Sequence, residues 1–247
     1  MKTFRADLHI HTVLSPCGDL EMSPDVIVAR ALEMKLDIIG ITDHNTTRQC
    51  RVTRKLGEKA GIAVLMGAEV TTKEEVHCLT FFETLEQLDD FQAYLDHHIP
   101  DIRNDVKRFG YQVAVDEHND IVYTEERLLI SALDEGIGQV EAKVHSLGGL
   151  FIPAHIDKPR FSLYGQLGFM PAGLQVDALE ISPKTSPAQF LLLHPELRGI
   201  PLISSSDAHL PALIGTRVTC FEMEHPGFGE LRKTILEKGR KNPKIIN

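Results

Sequence analysis

No apolar run in this 247-residue sequence approaches the roughly 18 residues that a membrane-spanning helix needs, so no membrane partner is expected. There is no low-complexity block and no long run of like charge, and 43% of the residues are hydrophobic, which excludes a disordered chain. Basic residues are in the minority, 26 against 35 acidic, giving a net charge of −9. A chain this acidic lacks the footprint of a stable partner of long nucleic acid or of anionic membranes. A short nucleotide, or the end of an oligonucleotide, stays open as a substrate. The four cysteines, Cys17, Cys50, Cys78 and Cys220, contain no C-x-x-C pair and no framework spacing. The opening Met-Lys-Thr-Phe-Arg-Ala-Asp-Leu-His has no apolar core of a secretion signal. Reduced thiols and a cytoplasmic location are therefore the expectation.

Glycine-rich phosphate loops are missing as well: neither G-x-G-x-x-G nor G-x-x-x-x-G-K-[ST] follows the first apolar run. Apolar runs of strand length nevertheless alternate with helical patterns. Strands are expected over 6–12, 37–42, 63–71, 77–82, 150–156, 178–182 and 202–206, most of them continuously apolar, as parallel strands covered on both faces are. Helices are expected over 47–59, 85–98, 186–193 and 228–238, and after Ser23-Pro24-Asp25, where Ser23 is a natural N-cap. The alternation over 111–124 predicts a small hairpin inserted in the main fold. Strand and helix repeated about seven times predict an α/β fold with a parallel sheet, closed or nearly closed into a barrel. A single domain over 1–247 is expected.

What the sequence has in excess is histidine, twelve against four Tyr and no Trp. In parallel α/β folds the working residues sit at the C-terminal ends of strands. Here those ends read Asp7-Leu-His9-Ile-His11, Thr42-Asp43-His44, Gly67-Ala-Glu69, Pro153-Ala-His155 and Ser206-Asp207-Ala-His209, while the fourth strand opens on His77. Residues i and i+2 of a strand share a face, so His9 and His11 can grip one cation together. Imidazoles mixed with carboxylates suit Zn²⁺, Mn²⁺ or Fe²⁺. His97, His98, His118, His145, His194 and His225 lack this placement. Glu180, at the end of the sixth run, is a candidate for a supporting role, and Lys158 and Arg160, just after His155, are candidates for binding a substrate anion. The stretch from Phe161 through Tyr164 and Phe169 to Pro171, with its glycines, is expected to act as an adaptable lid.

Taken in order, D-L-H-x-H, G-I-T-D-H-N at 40–45, G-A-E-V at 67–70 and S-D-A-H at 206–209 resemble the PHP family, the polymerase and histidinol phosphatase domains. The resemblance implies a distorted (β/α)7 TIM-like barrel and a metal-dependent phosphoesterase holding two or three divalent ions. It implies that His9, His11, Glu69 and Asp207 hold the first, with Glu69 bridging to a second on His77 and His155. His44 and His209 would hold a third with a ligand from the loop after strand one. Many members supply a histidine there; this chain has Cys17 and Asp19, and either residue, or neither, completes the site.

Asp43 either orients a ligand or takes part in proton transfer, beside Asp207 and His209 as catalytic candidates, and Asp7 is expected to support the first-strand imidazoles. The expected reaction is in-line attack on a phosphate ester by a hydroxide bridging two cations. The substrate would be a small monoester, a nucleotide or a short oligonucleotide end. An amidohydrolase-type metal hydrolase is a weaker alternative, since it would want a bridging lysine where this chain has Glu69. A metal-binding regulatory module without turnover is the other.

Overall fold

A computed structural model describes residues 1–237 and 243–246. The chain runs β1 (Lys2–Ile10), α1 (Pro24–Glu33), β2 (Ile38–Ile41), α2 (Cys50–Ala60), β3 (Ala63–Thr71), β4 (His77–Phe82), α3 (Leu85–His98) and α4 (Val106–Phe109). It continues with β5 (Val113–Val115), β6 (Ile121–Thr124), α5 (Ile137–Ser146), β7 (Leu150–Pro153), α6 (Leu163–Leu167), β8 (Leu179–Glu180), α7 (Pro187–Leu193), β9 (Leu202–Ile203), β10 (Val218–Met223), α8 (Phe228–Leu236) and β11 (Lys244–Ile246). The helix expected through Lys238 ends at Leu236, and Lys238 itself lies outside the described residues.

One seven-stranded sheet, in the order β11-β10-β1-β2-β3-β4-β7, curls into most of a barrel. β8 and β9 pair in parallel and complete the ring. They do so through isolated contacts: Ile156 N–H donates to Glu180 O (2.9 Å), and beyond β9 His11 N–H donates to Ala208 O (3.0 Å). The α/β barrel expectation holds, with a correction to its strand directions. β1, β2 and β3 are parallel, but β4 runs antiparallel to both β3 and β7. The connection between β3 and β4 spans only 72–76, far too short for a parallel crossover, so it can only turn the chain back. Reversal has a consequence for chemistry. The first residue of β4, His77, pairs with Thr71 at the C-terminal end of β3. β10, which sequence patterning does not flag, lies antiparallel along the first half of β1. The hairpin β5–β6 forms its own two-stranded sheet, as the alternation predicts.

Two apolar layers follow from strand alternation. The barrel lumen packs Ala6, Leu8, Ile38, Leu65, Leu79, Phe81, Leu150, Ile152 and Ile203 and is plugged by Phe228, Leu231 and Ile235 of α8. The outer layer sets Ile10, Ile39, Ile41, Met66 and Ala68 against the helices. Phe81 is fully buried in the lumen. Phe81→Ala is expected to cost about 3–5 kcal/mol, lost transfer energy plus a cavity. Urea unfolding followed by circular dichroism checks this, and a loss below about 1 kcal/mol would contradict the packing. No helix among the described residues is long and apolar enough to cross a membrane.

A β-bulge in β1 decides which side chains reach the lumen. Ala6 pairs with Ile38 and Asp7 with Ile39, but the register shifts before Ile10 pairs with Ile41. Asp7 and Ile10 therefore share the outer face although three residues apart, and His9 and His11 turn inward. Gly40 makes the bulge possible: a Cβ there would lie 2.5 Å from Leu8 O.

Candidate metal centre

Seven side chains converge at the rim of the lumen. Glu69, on β3, is 1% exposed and lies at their centre. Its Oε1 lies 3.3 Å from His9 Nε2, 2.9 Å from His77 Nδ1 and 3.1 Å from His155 Nε2. Its Oε2 lies 3.3 Å from His11 Nε2 and 3.2 Å from His44 Nδ1. Asp207 Oδ1 sits 3.4 Å from His9 Nε2 and 3.6 Å from His11 Nε2. His155 (φ 29°), Asp207 (φ 55°) and Asn45 (φ 48°), beside His44, all occupy left-handed backbone, which sharp turns at the strand ends impose. This is why β7 and β9 stop short of the expected strand ends.

The imidazoles are aimed by their far nitrogens. His9 Nδ1 lies 3.0 Å from Glu180 Oε2, so a proton on Nδ1 leaves Nε2 a free lone pair facing Glu69 and Asp207. Ser15 Oγ donates to Asp43 Oδ1 (2.7 Å), which leaves it to accept from His11 Nδ1 (3.0 Å) and His44 N–H (3.2 Å). His209 Nδ1 donates to Asp207 O (2.9 Å). Glu180→Gln or Ser15→Ala is therefore expected to weaken metal binding about 10–100-fold with the fold intact. Competition against a chelating dye measures it, and unchanged affinity in both variants would refute the orienting role.

Charge in the site is tightly coupled. Burial opposes ionisation of Glu69, yet His77, His9 and His44 hold its pKa well below the usual carboxylate range. Burial also disfavours imidazolium at His9, but the Glu180, Glu69 and Asp207 carboxylates hold its pKa well above the ordinary value. His44 goes the other way, pushed well down by burial and by His11, His77 and His209. Burial and His11 push His209 down to about 4.

The donor set fits divalent cations. His9 Nε2 and His11 Nε2 face each other at 3.2 Å, where at most one proton can stand between two lone pairs. Among the described residues the buried Nδ1 atoms of His44 and His155 make no hydrogen bond, His44 Nδ1 having only its ion-pair contact with Glu69 Oε2. Cys17 Sγ joins nitrogens of His11, His44 and His209 in a group whose atoms all lie within 4.8 Å of one another. Burial and the nearby Glu69 and Asp43 carboxylates push the Cys17 thiol up. A bound cation would reverse that. Asp19 turns away, its Oδ1 accepting from Glu21 N–H (2.8 Å). Of the two loop candidates, Cys17 is the one brought to the cluster.

The expected role of Asp7 needs correction. Asp7 makes no hydrogen bond to an imidazole, because the bulge puts it on the outer face. It accepts from Ser206 N–H (3.0 Å) and Gly215 N–H (2.8 Å), fixing the turn that carries Asp207. Asp43 does not face the cluster either. Its oxygens accept from Thr12 N–H, Thr12 Oγ and Ser15 Oγ, each at 2.7 Å, so of the two roles expected of it the contacts favour orienting a ligand, through Ser15 to His11. Lys158 is brought in, its Nζ 2.5 Å from Asp207 Oδ2. Arg160 is exposed and is not drawn into the cluster. The expected lid carries the short helix α6, N-capped by Ser162, whose Oγ accepts from Gly165 N–H (2.9 Å). Phe161 stacks on His77 with ring centroids 5.0 Å apart. Sequence reasoning missed Asn45, which accepts from Thr71 N–H (3.0 Å) and donates to Leu129 O and Ser131 O (2.7 and 2.8 Å). Its place in the G-I-T-D-H-N segment was the available signal.

The PHP domain family profile matches residues 7–158, more than half of the sequence. The chain belongs to the PHP domain family. Among curated proteins, this PHP chain is 25% identical to the uncharacterized protein YqxK of Bacillus subtilis, over all of this chain and 65% of that protein. It is 37% identical over 73 residues to the 5'-3' exoribonuclease Rnm of Salmonella typhimurium, covering 29% of this chain and 24% of that one. Among solved structures, the lesion-specific endonuclease PfuEndoQ of Pyrococcus furiosus shares the fold, with a TM-score of 0.74 at 22% identity. That match covers 99% of this chain and 58% of PfuEndoQ. The chain thus spans less than two thirds of each of these proteins.

Proposed function

We propose that this PHP chain is a metal-dependent phosphoesterase that hydrolyses phosphate esters of nucleotides or of nucleic-acid ends. The observation that carries the reading is Glu69, buried among five imidazoles with Asp207 beside them. The named activities of PfuEndoQ and Rnm support a nucleic-acid substrate over other esters.

In this reading His9, His11, Glu69, Asp207, His77 and His155 would hold two cations, and His44, His209 and Cys17 would hold a third. Zinc, manganese or iron bound there supplies Lewis-acid charge against the phosphate oxygens and lowers the pKa of water. The protein supplies the rest. Glu180 and Ser15 fix the imidazole tautomers so that no reorganisation is needed as charge develops. Asp43 holds Ser15. Lys158, whose burial opposes its charge but whose pKa the Asp207 carboxylate raises, stays an ammonium. It can turn from Asp207 to a non-bridging phosphate oxygen when substrate arrives. His209, neutral at physiological pH, donates from Nδ1 to the Asp207 carbonyl and keeps Nε2 free for a ligand or a proton.

Release of phosphate or nucleotide from a panel of monoesters and diesters, with Mn²⁺ or Zn²⁺ added, tests this. Asp207→Ala is expected to lower turnover at least about 100-fold, near 3 kcal/mol of transition-state stabilisation, with the unfolding midpoint little changed. Near wild-type turnover in the variant would sink the assignment. Bound metal with no hydrolysis of any ester by wild type would favour a regulatory module.

A further inference from the structure

A second feature on the same rim lies outside the metal centre. Arg217 precedes β10, which runs antiparallel to β1 with Thr219 opposite Ala6. Its residue therefore sits toward the end of β1 that carries His9 and His11. Arg217 is only 6% exposed. Its Nε donates to Ser204 Oγ (3.0 Å) and one terminal nitrogen donates to Thr185 O (3.1 Å). Among the described residues no carboxylate pairs with this guanidinium. A buried charge without a counter-ion is costly, and such a group is normally paired.

Arg217 lines a groove of about 500 Å³ together with Lys184, Lys244 and the free hydroxyl of Ser186. Among the described residues none of its lining is acidic, in a chain whose net charge is −9. The lysines form no ion pair among the described residues. The groove is built, not frayed: Asp157 accepts from Ser182 N–H and Ser182 Oγ, each at 2.6 Å, and from Thr185 Oγ, which fixes the 182–185 wall. Asp157 is also the neighbour of Lys158, so the wall is tied in sequence to the residue that touches Asp207.

We propose that Arg217, Lys184 and Lys244 form a phosphate-binding subsite for a backbone phosphate of the substrate remote from the one hydrolysed. A guanidinium with free N–H groups, sharing one groove with two lysines, is the donor set that a phosphate oxygen array takes. This rests on the phosphoesterase reading for its substrate. The same chemistry would take a free phosphate ion, and the test separates the two sources.

The test follows the Arg217 Nε–H resonance in the full-length chain during titration with inorganic phosphate and, separately, with a short single-stranded oligonucleotide. Both probes are expected to move the resonance, the oligonucleotide at about tenfold lower concentration because a second phosphate is anchored at the same time. Lys184→Ala combined with Lys244→Ala is expected to weaken both titrations about tenfold while leaving hydrolysis of a mononucleotide ester unchanged. No movement with either probe would overturn the subsite. Movement with phosphate but none with oligonucleotide would overturn the backbone assignment in favour of a free anion. Failure of every ester in the activity panel would sink the phosphoesterase reading and leave these titrations to decide the groove.

Discussion

Glu69→Gln is expected to lower turnover by about 10⁴-fold, close to 5.5 kcal/mol, and to reduce bound metal in the purified protein. The substitution keeps the volume and shape of the side chain, so the lumen beneath it is undisturbed. What changes is charge and donor character. Both Glu69 oxygens face imidazole nitrogens, three at Oε1 and two at Oε2. A glutamine would turn an NH₂ group toward at least two of those nitrogens and could not bridge cations. Glutamine also removes one of the three negative charges, after that of Glu180 and with that of Asp207, that hold the pKa of His9 up. Elemental analysis beside the ester assay reads both effects. Wild-type metal content with wild-type turnover would show that Glu69 is not the centre of the site.

Gly67→Ala, two residues before Glu69, is expected to cost about 3 kcal/mol or more, a large share of the stability of a domain. A Cβ at Gly67 would stand 1.8 Å from Thr80 O, in the antiparallel partner strand. Backbone, not a mobile side chain, is in the way, so relief requires the β3–β4 ladder to separate. The glycine of G-A-E-V is thus a condition for close strand pairing below Glu69. Gly138→Ala in α5 is the control. Nothing lies within 4 Å of its would-be Cβ, and the change is expected to be neutral or to stabilise by about 1 kcal/mol. Thermal unfolding of the two variants side by side decides the matter, and equal midpoints would refute the account.

Much of the centre is legible before folding because its residues come in short local patterns. His9 and His11 share a strand face, so spacing alone places that pair. Helix α3 from Leu85 to His98 follows local signals too: its Thr84 capping box is written in neighbouring residues. Less legible is anything that depends on which strands become neighbours. Asp7 reads as part of the H-x-H run, but the bulge in β1 turns it outward, and that bulge depends on Gly40 in the next strand. Asp43 reads as a rim carboxylate, but Thr12 and Ser15 occupy its oxygens.

The sequence by itself determined the residue types of the centre, the alternation of strands and helices, and a count of strands sufficient for a barrel. Hydrophobic period and ligand spacing are local properties, readable along one dimension. Only the tertiary structure decided that β4 runs backward to deliver His77, that Cys17 and not Asp19 closes on His44 and His209, and that Arg217 is buried with no acid paired to it among the described residues. Those outcomes turn on contacts between residues far apart in sequence, where the free energy of one packed arrangement over its rivals, not any local preference, fixes which side chains meet.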